Sequence, residues 1–154
     1  MFFMLFGLIY VIASFAFWKF SDAPLSQALF IPLLIAGGLL FSAGVSFYLT
    51  NKTKLAQFEK EYKEDPLALI DVEIDRTEKT IKTYENVALK VFPGIILLAA
   101  IIIFVISNPM VRAICIALIA FLSVLVILDS QALKRMKTYH HQLELYAKEI
   151  LIKD

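Results

Sequence analysis

The sequence predicts an all-α polytopic membrane protein, with four transmembrane helices and a cytoplasmic helical stalk built from extensions of spans 2, 3 and 4. Three observations carry this. Apolar residues fill 60% of the 154 positions and charged residues 19%, against about 45–50% and about 25% in soluble domains. The excess is segregated: residues 1–18 and 25–49 carry no charge, and residues 91–128 carry only Arg112. Runs of this length match the roughly 20 residues that cross a bilayer. Outside them, apolar residues recur in steps of three and four, the helical period. This composition, with a formal charge of +1, excludes a soluble globular domain, a disordered chain and a basic nucleic-acid binder.

The first transmembrane hairpin occupies residues 1–49. Its first span runs from Met1 to about Phe20. No Lys or Arg precedes the apolar stretch and Lys19 follows it, the reverse of a cleaved signal, so this span is expected to stay. The second span, about Leu25 to Leu49, carries Gly37, Gly38, Ser42, Ala43, Gly44 and Ser46. Small residues let helices approach closely. Gly37, Gly38 and Gly44, with Ala113 and Ala117 of the fourth span, form the candidate helix-packing or oligomer face.

Residues 50–90 form a helical segment with one break. Asp65-Pro66 places an acceptor before a proline at the first helical position, a helix-start signal. A short helix before it, with Leu55, Phe58 and Tyr62 on one face, runs off the second span. After it, Ile70, Ile74, Thr77, Ile81, Tyr84 and Ala88 mark one stripe that leads into the third span. Pro93-Gly94, one turn inside that span, is expected to kink it.

The second transmembrane hairpin occupies 91–128, with spans at about Val91–Ser107 and Pro109–Leu128. Ser107-Asn108-Pro109 reads as the tight turn between them. Residues 129–154 continue the fourth span, because no Gly or Pro separates them from it. Leu133, Met136, His140, Leu143, Ala147 and Ile150 form a heptad-like seam. One helix of about 45 residues, ~68 Å at 1.5 Å per residue, is expected. The last hairpin brings this seam opposite the Ile70–Ala88 stripe, giving a four-helix bundle with a coiled-coil-like stalk.

Thirteen of the fifteen Lys and Arg residues lie in the central segment and the tail, and only Lys19 and Arg112 lie opposite. By the positive-inside rule both termini face the cytoplasm, in the cell's inner membrane. Cys115 has no second cysteine to pair with.

Charged residues near span ends are the natural site candidates. Arg112 lies about one turn inside the fourth span, where it can snorkel or meet Asp22 in a polar site on the outer face. Asp129 ends that span at the depth of Lys90, which suggests an ion pair pinning the hairpin. Glu73, Asp75, Arg76 and Glu78 make a dense charge cluster. Glu73, Arg76, His140, His141 and Glu144 form a candidate docking surface. His140, His141 and Glu144 do not complete a recognisable metal spacing.

No phosphate-binding loop, nucleophile elbow or zinc-protease helix occurs. The spans offer Ser14, Ser42, Ser46, Cys115 and Ser123 but no carboxylate, against the polar midplane site of a transporter. No catalytic, cofactor or metal residues are expected, and the protein is not expected to be an enzyme. The expected function is protein–protein contact in the inner membrane, either as an immunity protein against a membrane-active toxin or as a regulatory subunit of a membrane complex. The partners are then the bilayer and another protein, with a homo-oligomer as a further option and no nucleic acid. The alternative is an oligomeric channel or transporter. A short chain, four spans and cytoplasmic ends resemble the layout of some immunity proteins against pore-forming colicins, which implies occlusion of a toxin helix within the bilayer.

Overall fold

In a computed structural model of the chain, the backbone is described for residues 2–64 and 66–153, and side chains for 2–50 and 69–149. All the regular elements are helices: α1 (Phe2–Phe20), α2 (Pro24–Ala28), α3 (Phe30–Glu64), α4 (Pro66–Asn86), a π-helical turn (Val87–Val91), α5 (Phe92–Val105) and α6 (Pro109–Lys153). Four helical stretches are long and apolar enough to cross a membrane: Phe2–Phe20, Pro24–Thr50, Leu69–Val105 and Pro109–Glu149.

Prolines set the breaks. Pro24 disfavours a helical residue before it, and Ala23 is extended, with φ −69° and ψ 133°. Pro32 has no N–H to offer the carbonyl of Ala28. The second span is therefore divided at Leu29, although Leu29 N–H still reaches Leu25 O and Leu33 N–H reaches Leu29 O, each at 3.1 Å. The expected kink at Pro93-Gly94 takes another form. The Pro93 ring meets the carbonyl four residues back, that of Leu89. The helix widens over Val87–Val91, where Phe92 N–H bonds to Val87 O, five residues back, so the irregularity lies just before the proline.

α6 is a single helix of 45 residues, as its uninterrupted pattern predicts. α3 likewise runs without a break from Phe30 through Glu64. The side chains of Leu55, Phe58 and Tyr62, Asp65 and the seam residue Ile150 lie outside the described residues.

The helices pack in the order α1–α3–α6–α5. α1 lies antiparallel on α3 at backbone-to-backbone distance. A Cβ on Gly7 would come within 2.6 Å of Phe41 N, and one on Gly37 within 2.9 Å of Gly7 O. α3 and α6 run side by side and parallel. Leu29, Leu33, Ala36 and Leu40 pack there with Ala113, Ala117 and Val124 in one core that also takes in Tyr10. α5 returns antiparallel along α6 and buries Ala99.

The four helices of the expected bundle lie in an open row. Among the described residues, no substantial contact joins α5 to α1 or α3. Glycines permit close approach only between α1 and α3, whereas α5 presents Leu97, Leu98, Ile101, Phe104 and Val105 uncovered.

Beyond the row, α4 packs antiparallel on the polar half of α6. The contact buries Ile70, Thr77 and Ala88 of the predicted stripe and Leu133 of the predicted seam.

Candidate functional site

The densest polar arrangement lies in the α4–α6 contact. Thr77 is fully buried because it sits on the inward stripe of α4. Its hydroxyl lies 2.9 Å from the carbonyls of Glu73 and Ile74 and 2.8 Å from Nδ1 of His140. A hydroxyl donating to its own helix accepts from an Nδ1–H; the other imidazole nitrogen then faces Glu144, with Nε2–Oε1 3.4 Å. His141 lies on the exposed side, its Nδ1 4.0 Å from Glu144 Oε2.

Glu73, a member of the dense charge cluster and of the candidate docking surface, is buried. Its position, four residues before Thr77, turns it toward α6, and it is only 6% exposed. Its carboxylate takes a hydrogen-bonded ion pair from Arg76 on its own helix and the Tyr139 hydroxyl, at 3.4 Å, from α6. Burial pushes the Tyr139 phenol above its ordinary range, and the Glu73 charge adds to the effect. Of the five docking candidates, the structure gathers Glu73, Arg76, His140 and Glu144 along one seam and leaves His141 outside it.

The rest of the charged cluster is local. Asp75 pairs with Lys79 at 2.6 Å and Glu78 with Lys82 at 2.7 Å, each one turn apart. Glu85 crosses to Lys137 of α6 at 2.6 Å, and that hydrogen bond and charge hold the Glu85 carboxyl below its usual range.

The expected Lys90–Asp129 pair does not form. Ala88 is the buried residue of the π turn, and Lys90, two positions on, faces away from α6. Its ammonium donates to Asn86 Oδ1 at 2.9 Å instead. Asp129 is half-buried beside Tyr84, whose phenol feels its charge.

Arg112 and Asp22 are not joined either. Arg112 Nε donates to Ile106 O at 2.8 Å, which caps the last turn of α5 with a cation where the helix dipole is negative. Asn108 Oδ1 accepts from Met110 N–H at 2.9 Å, so the turn satisfies both helix ends.

Of the packing candidates, Gly37 and Gly44 face α1, Gly38 has open space, and Ala113 and Ala117 are buried against the start of the second span. Gly7 is the member that sequence reasoning missed. It is the only glycine of the first span, at the level of Gly37 once the hairpin closes. Tyr139, missed too, adjoins His140 in a seam judged by its apolar positions.

Three serine hydroxyls within the row bond to backbone carbonyls. Ser14 donates to Phe30 O at 2.7 Å across the first hairpin. Ser42 and Ser123 donate to Gly38 O and Ile119 O, four residues back. Among the described residues no cluster of three His, Cys, Asp or Glu is placed to hold a metal ion.

An apolar groove of about 460 Å³ lies between α3 and α6, lined by Ile31, Ile35, Leu39, Ile114, Leu118 and Phe121 among others. It can receive apolar chains or helices and offers no group for chemistry. No protein-family model, curated protein or solved structure matches the chain.

Proposed function

We propose that the chain is a small integral protein of the inner membrane that acts by protein–protein contact, as an immunity protein against a membrane-active toxin or as a regulatory subunit of a membrane complex. In this reading both termini are cytoplasmic, because thirteen of fifteen cationic residues fall on that side. The α4–α6 pair is then a cytoplasmic stalk.

The observation that carries the reading is the open row. Among the described residues no substantial contact joins α5 to α1 or α3, and an apolar groove stays uncovered between α3 and α6. The occupant assigned to it is one apolar transmembrane helix of the partner, which packs there by shape. The serine hydroxyls at Ser14, Ser42 and Ser123 are bonded to backbone carbonyls, which supports a binding role over transport.

The test is site-specific photo-crosslinking from Ile35, Leu39, Ile114 and Leu118 in intact cells, with Phe104 on α5 as the reference position. A discrete protein adduct from the groove positions that is absent at Phe104 supports the reading. Adducts to lipid alone, or ion flux in proteoliposomes of the pure protein, overturn it.

A further inference from the structure

Cations of the α4–α6 contact fall into two groups. Arg76, Lys79, Lys82 and Lys137 each have a carboxylate, and Lys90 has the Asn86 amide. Lys134 and Arg135, like Lys148 further along α6, are exposed, and no hydrogen bond or ion pair joins these side chains to any described residue.

Lys134 and Arg135 line a shallow hollow of about 310 Å³ together with Thr138, Tyr139 and Gln142, none of them a carboxylate. Residues 134, 135, 138 and 142 lie on the side of α6 away from the α4-facing seam of Leu133 and His140, and Tyr139 lies at the edge, where its hydroxyl reaches Glu73 of α4. The surface is shallow and basic; the Thr138 and Tyr139 hydroxyls are engaged with Lys134 O and the Glu73 carboxylate, so the Lys134 ammonium and the Arg135 guanidinium are the groups that can take a phosphate.

Depth narrows the source. The last apolar run ends at Leu128, so Lys134 lies on the order of 9 Å beyond it along the helix. Each polar headgroup layer is roughly 5–8 Å thick, and long basic side chains bend back toward it. The ammonium and guanidinium therefore reach the phosphates of the adjoining leaflet.

We infer that Lys134 and Arg135 form a binding site for the headgroup of an anionic phospholipid. The inference rests on the four helices lying in a bilayer and is independent of the partner protein. Basic pockets just beyond transmembrane helices bind such headgroups, and each cation near the surface contributes enough that losing two weakens binding about 30-fold.

The test is native mass spectrometry of the full chain in detergent, titrated with phosphatidylglycerol or phosphatidylcholine. The native protein is compared with K134Q/R135Q and with K79Q/K82Q, whose cations are already paired. Preferential retention of phosphatidylglycerol, lost about 30-fold in K134Q/R135Q and kept in K79Q/K82Q, is the expected result. Equal retention of both lipids, equal loss in both variants, or displacement by excess inorganic phosphate overturns the lipid assignment. Flotation of each variant with phosphatidylcholine vesicles reports membrane insertion separately, so failure of the bilayer reading is recognised by itself.

Discussion

The hydroxyl of Thr77 lies 2.8 Å from Nδ1 of His140, sixty-three residues further along the chain. This contact ties α4 to α6 at the one fully buried side-chain hydroxyl of their seam. Thr77→Val keeps the shape and removes the bond, leaving the imidazole nitrogen unsatisfied. A net loss of about 1 kcal/mol is expected. A double-mutant cycle of T77V with H140L, read by thermal unfolding in detergent, should give a coupling of roughly 0.5–1.5 kcal/mol. Additive losses would show that the two side chains do not support each other.

Gly7 and Gly38 should respond oppositely to alanine. A Cβ at Gly7 would meet Phe41 N at 2.6 Å and Gly37 O at 2.8 Å, backbone atoms that cannot rotate aside. The α1–α3 hairpin must open, at about 1–3 kcal/mol. Gly38 has nothing within 4 Å, so G38A leaves stability unchanged or raises it slightly through helix propensity. Melting temperatures of G7A and G38A decide the point, and equal effects contradict the packing described.

The α5–α6 turn should depend on Arg112 and Asn108 and not on Asp22. Arg112 Nε donates to Ile106 O, and Asn108 Oδ1 accepts from Met110 N–H. N108A is expected to cost about 1 kcal/mol, as loss of an N-cap does. R112Q removes a charge-assisted bond of similar worth, about 1 kcal/mol in its exposed setting. D22N should stay within about 0.5 kcal/mol of the native protein. Comparable destabilisation by D22N and R112Q would restore the pairing that sequence proximity to the span ends suggested.

Lys90 and Asp129 offer the same kind of test. Since Lys90 bonds to Asn86, K90Q and D129N should combine additively, within about 0.5 kcal/mol. A larger coupling in thermal unfolding would mean the pair forms in solution.

Much of the architecture was legible because apolar runs, prolines and three-four spacing act locally. The 45-residue α6 follows from a pattern with no Gly or Pro inside it, and the Ile70–Ala88 stripe does bury its ends against α6. Helix order in the row was not legible. Large aliphatics such as Leu97 and Phe104 look alike whether they meet lipid or protein, so periodicity cannot separate an open row from a bundle. Ion pairs failed for a rotational reason. Depth put Lys90 level with Asp129, but the π turn before Pro93 decides which way Lys90 points. Glu73 failed for a similar one: a carboxylate beside Asp75 and Arg76 reads as solvated until Tyr139 is seen opposite.

The Glu85–Lys137 bridge makes the α4–α6 contact sensitive to acid. Lys137 holds the Glu85 carboxyl below its reference value of 4.5. A carboxyl with a depressed folded-state value contributes stability that is fully present above the unfolded value and is lost as pH falls through the folded one. Stability should therefore decline below about pH 4.5, and part of that decline belongs to this bridge. E85Q removes the titrating group, so its melting temperature should change less between neutral pH and pH 4 than that of the native protein. K137Q should flatten the same limb, because Glu85 then titrates as it does when unfolded. The bridge is exposed on both sides, so high salt should mimic either substitution. Identical acid profiles for the native protein, E85Q and K137Q would show that the bridge does not contribute to holding α4 on α6.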